Sequence, residues 1–270
     1  MDVEAVLKGV LPAIGTALLL VSLAGVRLLP LAAALGLFAC YVLLKQWPAL
    51  PTALWSSPNG VEWLLWAVAA AALLALLEHA GMHGRLAAIL APAVAGVAVW
   101  LVLEKVARNW STGEVVGHVG AGGLALMLLT LGHRSLVRTA PPGLGTAILL
   151  TVVLSADAGL LTLGGSAMLG QLCGACAAAS GAAAGTVLWR QPFALAPADG
   201  TWLGIAHGLF LLAGMHLSAL PWQAALLAAA SPMLPLLLSK NLNGRPFVWA
   251  VAAAALVGSP LALAFWFASR

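Results

Sequence analysis

Asp157, in the string Ser155-Ala-Asp-Ala-Gly159, stands deep in an otherwise apolar run. Carboxylates at such depth face a bundle interior or a wet cavity and serve proton relays, ion sites or substrate binding. A structural role fits as well: Gly164-Gly165 follows closely, so Asp157 also suits a helix end paired with a loop cation. His207 falls about two turns inside a predicted helix, and His118 about one turn inside another, just after Glu114. Either is expected to share a polar pocket with Asp157, or else to act only as a neutral hydrogen-bonding group. Gln171 is a further polar side chain in an apolar segment and a candidate for solute contact.

Glu78 and His79 lie near the end of a predicted helix and add a second candidate group. His79 and His83 have the i, i+4 spacing that places two imidazoles on one helix face for a metal. No third ligand is placed beside them, so no metal site is expected. No Cys-x-x-Cys-His occurs to hold haem, and no cofactor is expected. There is no His-Glu-x-x-His, no Gly-x-Ser-x-Gly, no phosphate loop and no clustered pair of carboxylates. These absences argue against an enzyme, with a lipid-modifying intramembrane enzyme kept as an alternative.

The elements that must position these residues follow from composition. Of 270 residues only 20 are Lys, Arg, Asp or Glu, 63 % are hydrophobic and the mean hydropathy is +1.05. A soluble fold cannot hide that much apolar surface, whereas apolar runs of about 20 residues broken by short charged stretches match membrane-crossing helices. The twelve cations are scattered, so nucleic-acid binding has no support. The first apolar run follows Asp2 and Glu4 and lacks a clear cleavage site, so it is expected to remain as a helix. Cys40, Cys173 and Cys176 lie in apolar runs and form no disulfide framework.

The expected fold class is all-α, a polytopic integral membrane bundle of about ten helices. They are placed at 5–26, 28–46, 61–80, 85–104, 113–132, 143–163, 165–188, 201–220, 222–239 and 247–268. The breaks at 26–30 and 164–165 are the shortest, and fusing across them gives eight. Loops this short leave no soluble domain. Trp47, Trp63, Trp189, Trp202, Trp222, Trp249 and Trp266 fall near the predicted ends, where indole rings favour the interface, and Trp55 and Trp110 fall in loops. Loop cations divide seven against five, with Arg134, Arg138, Arg190 and Lys240 among the seven, too even to orient the chain.

Residues 165–188 carry Gly170, Gly174, Gly181 and Gly185 among alanines, a face that lets helix backbones approach closely. The same face suits a partner helix, whether from another membrane protein or a second copy. Pro92, Pro232, Pro235 and Pro260 interrupt predicted helices and free backbone carbonyls that must face protein or a cavity. Short strings also recur in order: Ala80-Gly-Met-His83 with Ala213-Gly-Met-His216, and Lys45-Gln with Arg190-Gln. They are consistent with two inverted halves, 1–138 and 139–270, and also with chance recurrence in a chain rich in Ala, Leu and Gly.

In size and plan the chain resembles the drug/metabolite transporter superfamily. The resemblance rests on architecture, without a matching motif, and implies alternating access by a small secondary transporter moving a small solute. The expected chamber is lined by the third, sixth, seventh and eighth helices, with Asp157 as proton or cation site. A non-catalytic subunit of a larger membrane complex is the alternative. The expected setting is the lipid bilayer of a prokaryotic cytoplasmic membrane.

Overall fold

The computed structural model describes residues 3–45, 47–51, 58–141, 144–186, 195–238 and 245–270. These form ten α-helices: α1 (Val3–Ala24), α2 (Leu29–Leu44), α3 (Gly60–His79), α4 (Gly84–Ala107), α5 (Thr112–Thr139), α6 (Leu144–Leu163), α7 (Ala167–Gly185), α8 (Pro197–Leu217), α9 (Trp222–Ala230) and α10 (Pro246–Ala268). A 3-10 turn (Val26–Leu28) precedes α2, and a 3-10 segment (Ser231–Leu237) continues α9. Nine of these helices are long and apolar enough to cross a membrane. The protein is a polytopic integral membrane helix bundle.

Both short breaks are real. Gly25 (φ 83°) closes α1 and Gly165 (φ 89°) separates α6 from α7, each in the left-handed region that only glycine adopts without penalty. The hairpins α1–α2 and α6–α7 then pack tightly. Starts are set by side chains that satisfy orphan N–H groups. Asn59 accepts from Val61 and Glu62 while Glu62 accepts from the Asn59 N–H, and Ser111 and Glu114 do the same at α5.

The segment Trp222–Leu237 is apolar but shorter than the nine candidate spans, and it is broken. Pro232 and Pro235 cannot donate to an α-helical ladder, so the chain tightens into 3-10 geometry after Ala230, and the Ser231 hydroxyl donates to the Ala228 carbonyl. The 3-10 rise is larger, so Trp222–Leu237 still extends about 27 Å, close to the ~30 Å hydrocarbon thickness.

Two predicted boundaries shift by four residues or more. α5 runs to Thr139 instead of 132, and its 28 residues extend about 42 Å, beyond the hydrocarbon core. Arg134 and Arg138 are therefore helical, not loop residues, and Arg134 is buried. α8 begins at Pro197 instead of 201, because the Asp199 carboxylate accepts from the Ala196 N–H and Pro197 suits the first helical turn. Trp202 and Trp249 stand near helix ends but face the core, fully buried, while Trp47, Trp222 and Trp266 are exposed as expected. Trp55, Trp189, Lys240, Gln46 and both residues of the Arg190-Gln pair lie outside the described residues.

α8 is the axis of the bundle. In its most apolar stretch 83 % of residues are buried, against 11 % for α5, and it touches α3, α4, α5, α6, α7 and α9. Surrounded by protein, it can carry Asp199, Thr201 and His207, which a lipid-facing helix could not.

Candidate functional site

Gly200, Gly204 and Gly208 recur every four residues along α8 and seat it against α5. A Cβ on Gly200 would lie 2.8 Å from the Arg134 Cα, and one on Gly204 would lie 2.6 Å from the Thr130 Cα. Gly208 faces Leu126 and Leu129. Rising numbers on α8 meet falling numbers on α5, so the helices are antiparallel. This close seam is where most of the polar residues meet. Sequence reading passed over the glycine triplet, although its i, i+4, i+8 spacing is the same small-residue signal read in α7.

At one end of the seam, α3, α5 and α8 meet in an ion-pair network. The Arg134 guanidinium donates to both Glu78 oxygens, at 2.7 and 2.8 Å, and also to the Thr201 hydroxyl. The His79 Nε2 lies 3.0 Å from Asp199 Oδ1, and Asp199 is fully buried. Glu78 is thus a partner of Arg134, and His79 a partner of Asp199. His83 is exposed and the His79/His83 pair gathers no further ligand; no metal-holding group of three occurs among the described residues.

About 12 Å further along α8, at its midpoint, His207 meets Asp157. Their Nδ1 and Oδ2 are 2.5 Å apart, and both residues are fully buried. The other atoms of the pair, Asp157 Oδ1 and His207 Nε2, have no hydrogen-bond partner among the described residues. His133 of α5 packs its ring 5.3 Å from that of His207 and, through Nδ1–H, donates to the Leu129 carbonyl. Cys173 of α7 lies on the far side, its Sγ 3.4 Å from the Leu154 carbonyl. Sequence reading singled out Asp157 and His207 but not His133.

Past Gly208 the seam opens into a cavity of about 550 Å³. It is walled by α4, α5, α8 and α9, not by the third, sixth and seventh helices that the sequence implied. Leu126, Leu129 and Gly208 form its floor, and Gly208 adjoins His207 in the chain. The end away from that floor carries His118 and His216, whose rings are 5.1 Å apart, with the Trp110 ring 4.6 Å from His118. His118 therefore does not join Asp157; it sits about 22 Å from His133 along α5. Gln171 does not converge on the pair either: its Cβ lies 3.6 Å from where a Gly9 side chain would stand, on the side facing α1.

The glycines of α7 divide. Gly170 meets the Ala158 carbonyl and Thr162 of α6 so closely that a Cβ would not fit, and Gly181 faces Thr151. Gly174 makes ordinary contact with Ala158, whereas a Cβ on Gly185 would meet no atom of the described residues within 4 Å. Between α1 and α6 this face opens into a groove of about 540 Å³.

Fold and site together define a class: a multi-pass membrane protein with an internal acid–imidazole pair. Comparison with protein-family models, characterised proteins and solved structures gives no match.

Proposed function

We propose that the protein is a small secondary transporter, not an enzyme, which moves an apolar or amphiphilic solute by alternating access while Asp157 and His207 exchange a proton. One observation carries the reading: the buried pair stands in the α5–α8 seam between a cavity on one side and the Glu78–Arg134–Thr201 network on the other. A binding chamber reaching one face, with an ion-paired closure towards the opposite face, is the arrangement alternating access requires. The broken α9 beside the chamber supplies a second expected part, a discontinuous helix at the solute site. Its setting under this reading is a prokaryotic cytoplasmic membrane.

The coupling is electrostatic. With one proton shared between carboxylate and imidazole the pair has zero net charge, which dry surroundings tolerate. When that proton leaves, the charge is −1, and a buried uncompensated ion costs several kcal/mol. Water must then reach the pair, so deprotonation favours rearrangement of the seam. His133 packs its ring beside that of His207.

The test is reconstitution in vesicles loaded with a pH indicator and exposed to a panel of small apolar and amphiphilic solutes. Solute addition is expected to change internal pH, and Asp157→Asn and His207→Phe are expected to abolish the change. Identical traces from wild type and Asp157→Asn with every solute would sink the proposal. A subunit role draws on the open small-residue groove of α7, which fits a partner helix. Stable co-purification with another membrane protein in mild detergent favours that role, and recovery of a lone chain favours the transporter.

A further inference from the structure

We infer that the cavity between α5 and α9 binds a single-chain amphiphile taken sideways from the lipid, with its hydrogen-bond-accepting head at His118 and His216. α5 touches the 3-10 segment where Gly132 lies beneath Met233, while the α-helical part of α9 departs to pack on α8 and α10. The cavity fills the resulting gap. Ala121 and Ala125 on α5, and Trp222 and Leu226 on α9, are exposed at its rim, so it opens towards lipid.

The lining is graded like a lipid leaflet. Its floor, at Leu126, Leu129 and Gly208, is apolar and lies near the midpoint of α8. His118, about 9 Å from the start of α5, and His216 provide its imidazoles at the membrane end. A molecule with one apolar chain and one polar head therefore binds with the same orientation it has in the bilayer. Its volume lies within the roughly 300 to 1,000 Å³ typical of small-ligand sites. Head chemistry follows from the charges nearby. The Glu114 carboxylate is turned back onto the Ser111 N–H and hydroxyl, both at 2.8 Å, and Arg108 is held by Glu104. What the lining offers a head is two imidazoles, His118 in the second turn of α5 and His216 in the last turn of α8, whose ring N–H groups donate to an accepting head such as a carboxylate.

The inference deepens the transport reading by naming a solute class, yet its test needs no transport. The wild-type protein in lipid nanodiscs is irradiated with a long-chain fatty acid carrying a diazirine in its chain, and adducts are mapped by mass spectrometry. Adducts are expected to concentrate on the α5 and α9 rim. Ala125→Trp and, independently, Ala121→Phe are expected to lower them about tenfold, a loss of about 1.4 kcal/mol in binding. Both positions are exposed, and an unchanged size-exclusion profile verifies folding. The chain-matched amine and the His118→Ala/His216→Ala variant should each label several-fold less. Adducts spread evenly over all lipid-facing helices and insensitive to the filling substitutions overturn the site; equal labelling by the amine overturns the assigned head. Proton movement that depends on Asp157 without rim labelling leaves the transporter standing and removes this solute class, whereas rim labelling without such movement does the reverse.

Discussion

At the scale of single residues, the decisive contrast is between two buried polar groups of different completeness. Arg134 has both Glu78 oxygens and the Thr201 hydroxyl, so its charge is well compensated. Arg134→Leu leaves Glu78 and Thr201 without that partner and is expected to destabilise the protein by about 3 kcal/mol, read as a lower unfolding midpoint in detergent. The double variant Glu78→Leu/Arg134→Met should recover most of the loss, because it removes both charges. Asp157 and His207 by contrast keep one atom each without a partner among the described residues. Asp157→Asn is nearly isosteric and keeps an acceptor for His207, so it is expected to fold with an unfolding midpoint near wild type while losing proton-coupled movement. A fall as large as that of Arg134→Leu would assign the pair to structure.

At the scale of elements, the small residues of α7 and α8 look alike in sequence and behave differently in space. A methyl group at Gly204 meets the Thr130 backbone at 2.6 Å, and backbone cannot step aside as a flexible side chain can. Gly204→Ala is expected to cost about 1 to 3 kcal/mol by forcing α5 from α8. Gly185→Ala meets no atom of the described residues within 4 Å and should be neutral or stabilising, since alanine favours helix by up to about 1 kcal/mol. Thermal unfolding of the two variants side by side checks the contrast, and an equal loss in both would refute the packing account. Helix existence and the short breaks near 26–30 and at 164–165 were legible from apolar run length, with the count left between eight and ten; the left-handed turn at Gly25 was not. The extension of α5 to Thr139 was not, because Arg134 reads as a loop cation until Glu78 and Thr201 are seen to hold it.

At the scale of the whole molecule, the seam has one accessible and one closed end. In a variant with Cys40, Cys173 and Cys176 replaced by alanine, a cysteine at Ala229, half-buried on the cavity wall, is expected to react with a small thiol reagent. A cysteine at Thr201, fully buried beneath the ion-pair network, should react at least several-fold more slowly. Equal rates would show that the network closes nothing.

Run length and charge scarcity by themselves determined that the chain is a membrane helix bundle, because lipid tolerates neither open backbone nor unpaired charge, and both constraints act locally along a helix. They also marked Asp157 as out of place. Which residues would answer it lay beyond sequence, since His207 is 50 positions away and periodicity does not say which face of one helix meets which face of another. Tertiary packing made that choice through Gly200, Gly204 and Gly208, where the missing side chains let α8 press against α5. The same packing brought His133 beside His207, sent His118 and Gln171 elsewhere, and left the cavity at the one place where α9 parts from α5.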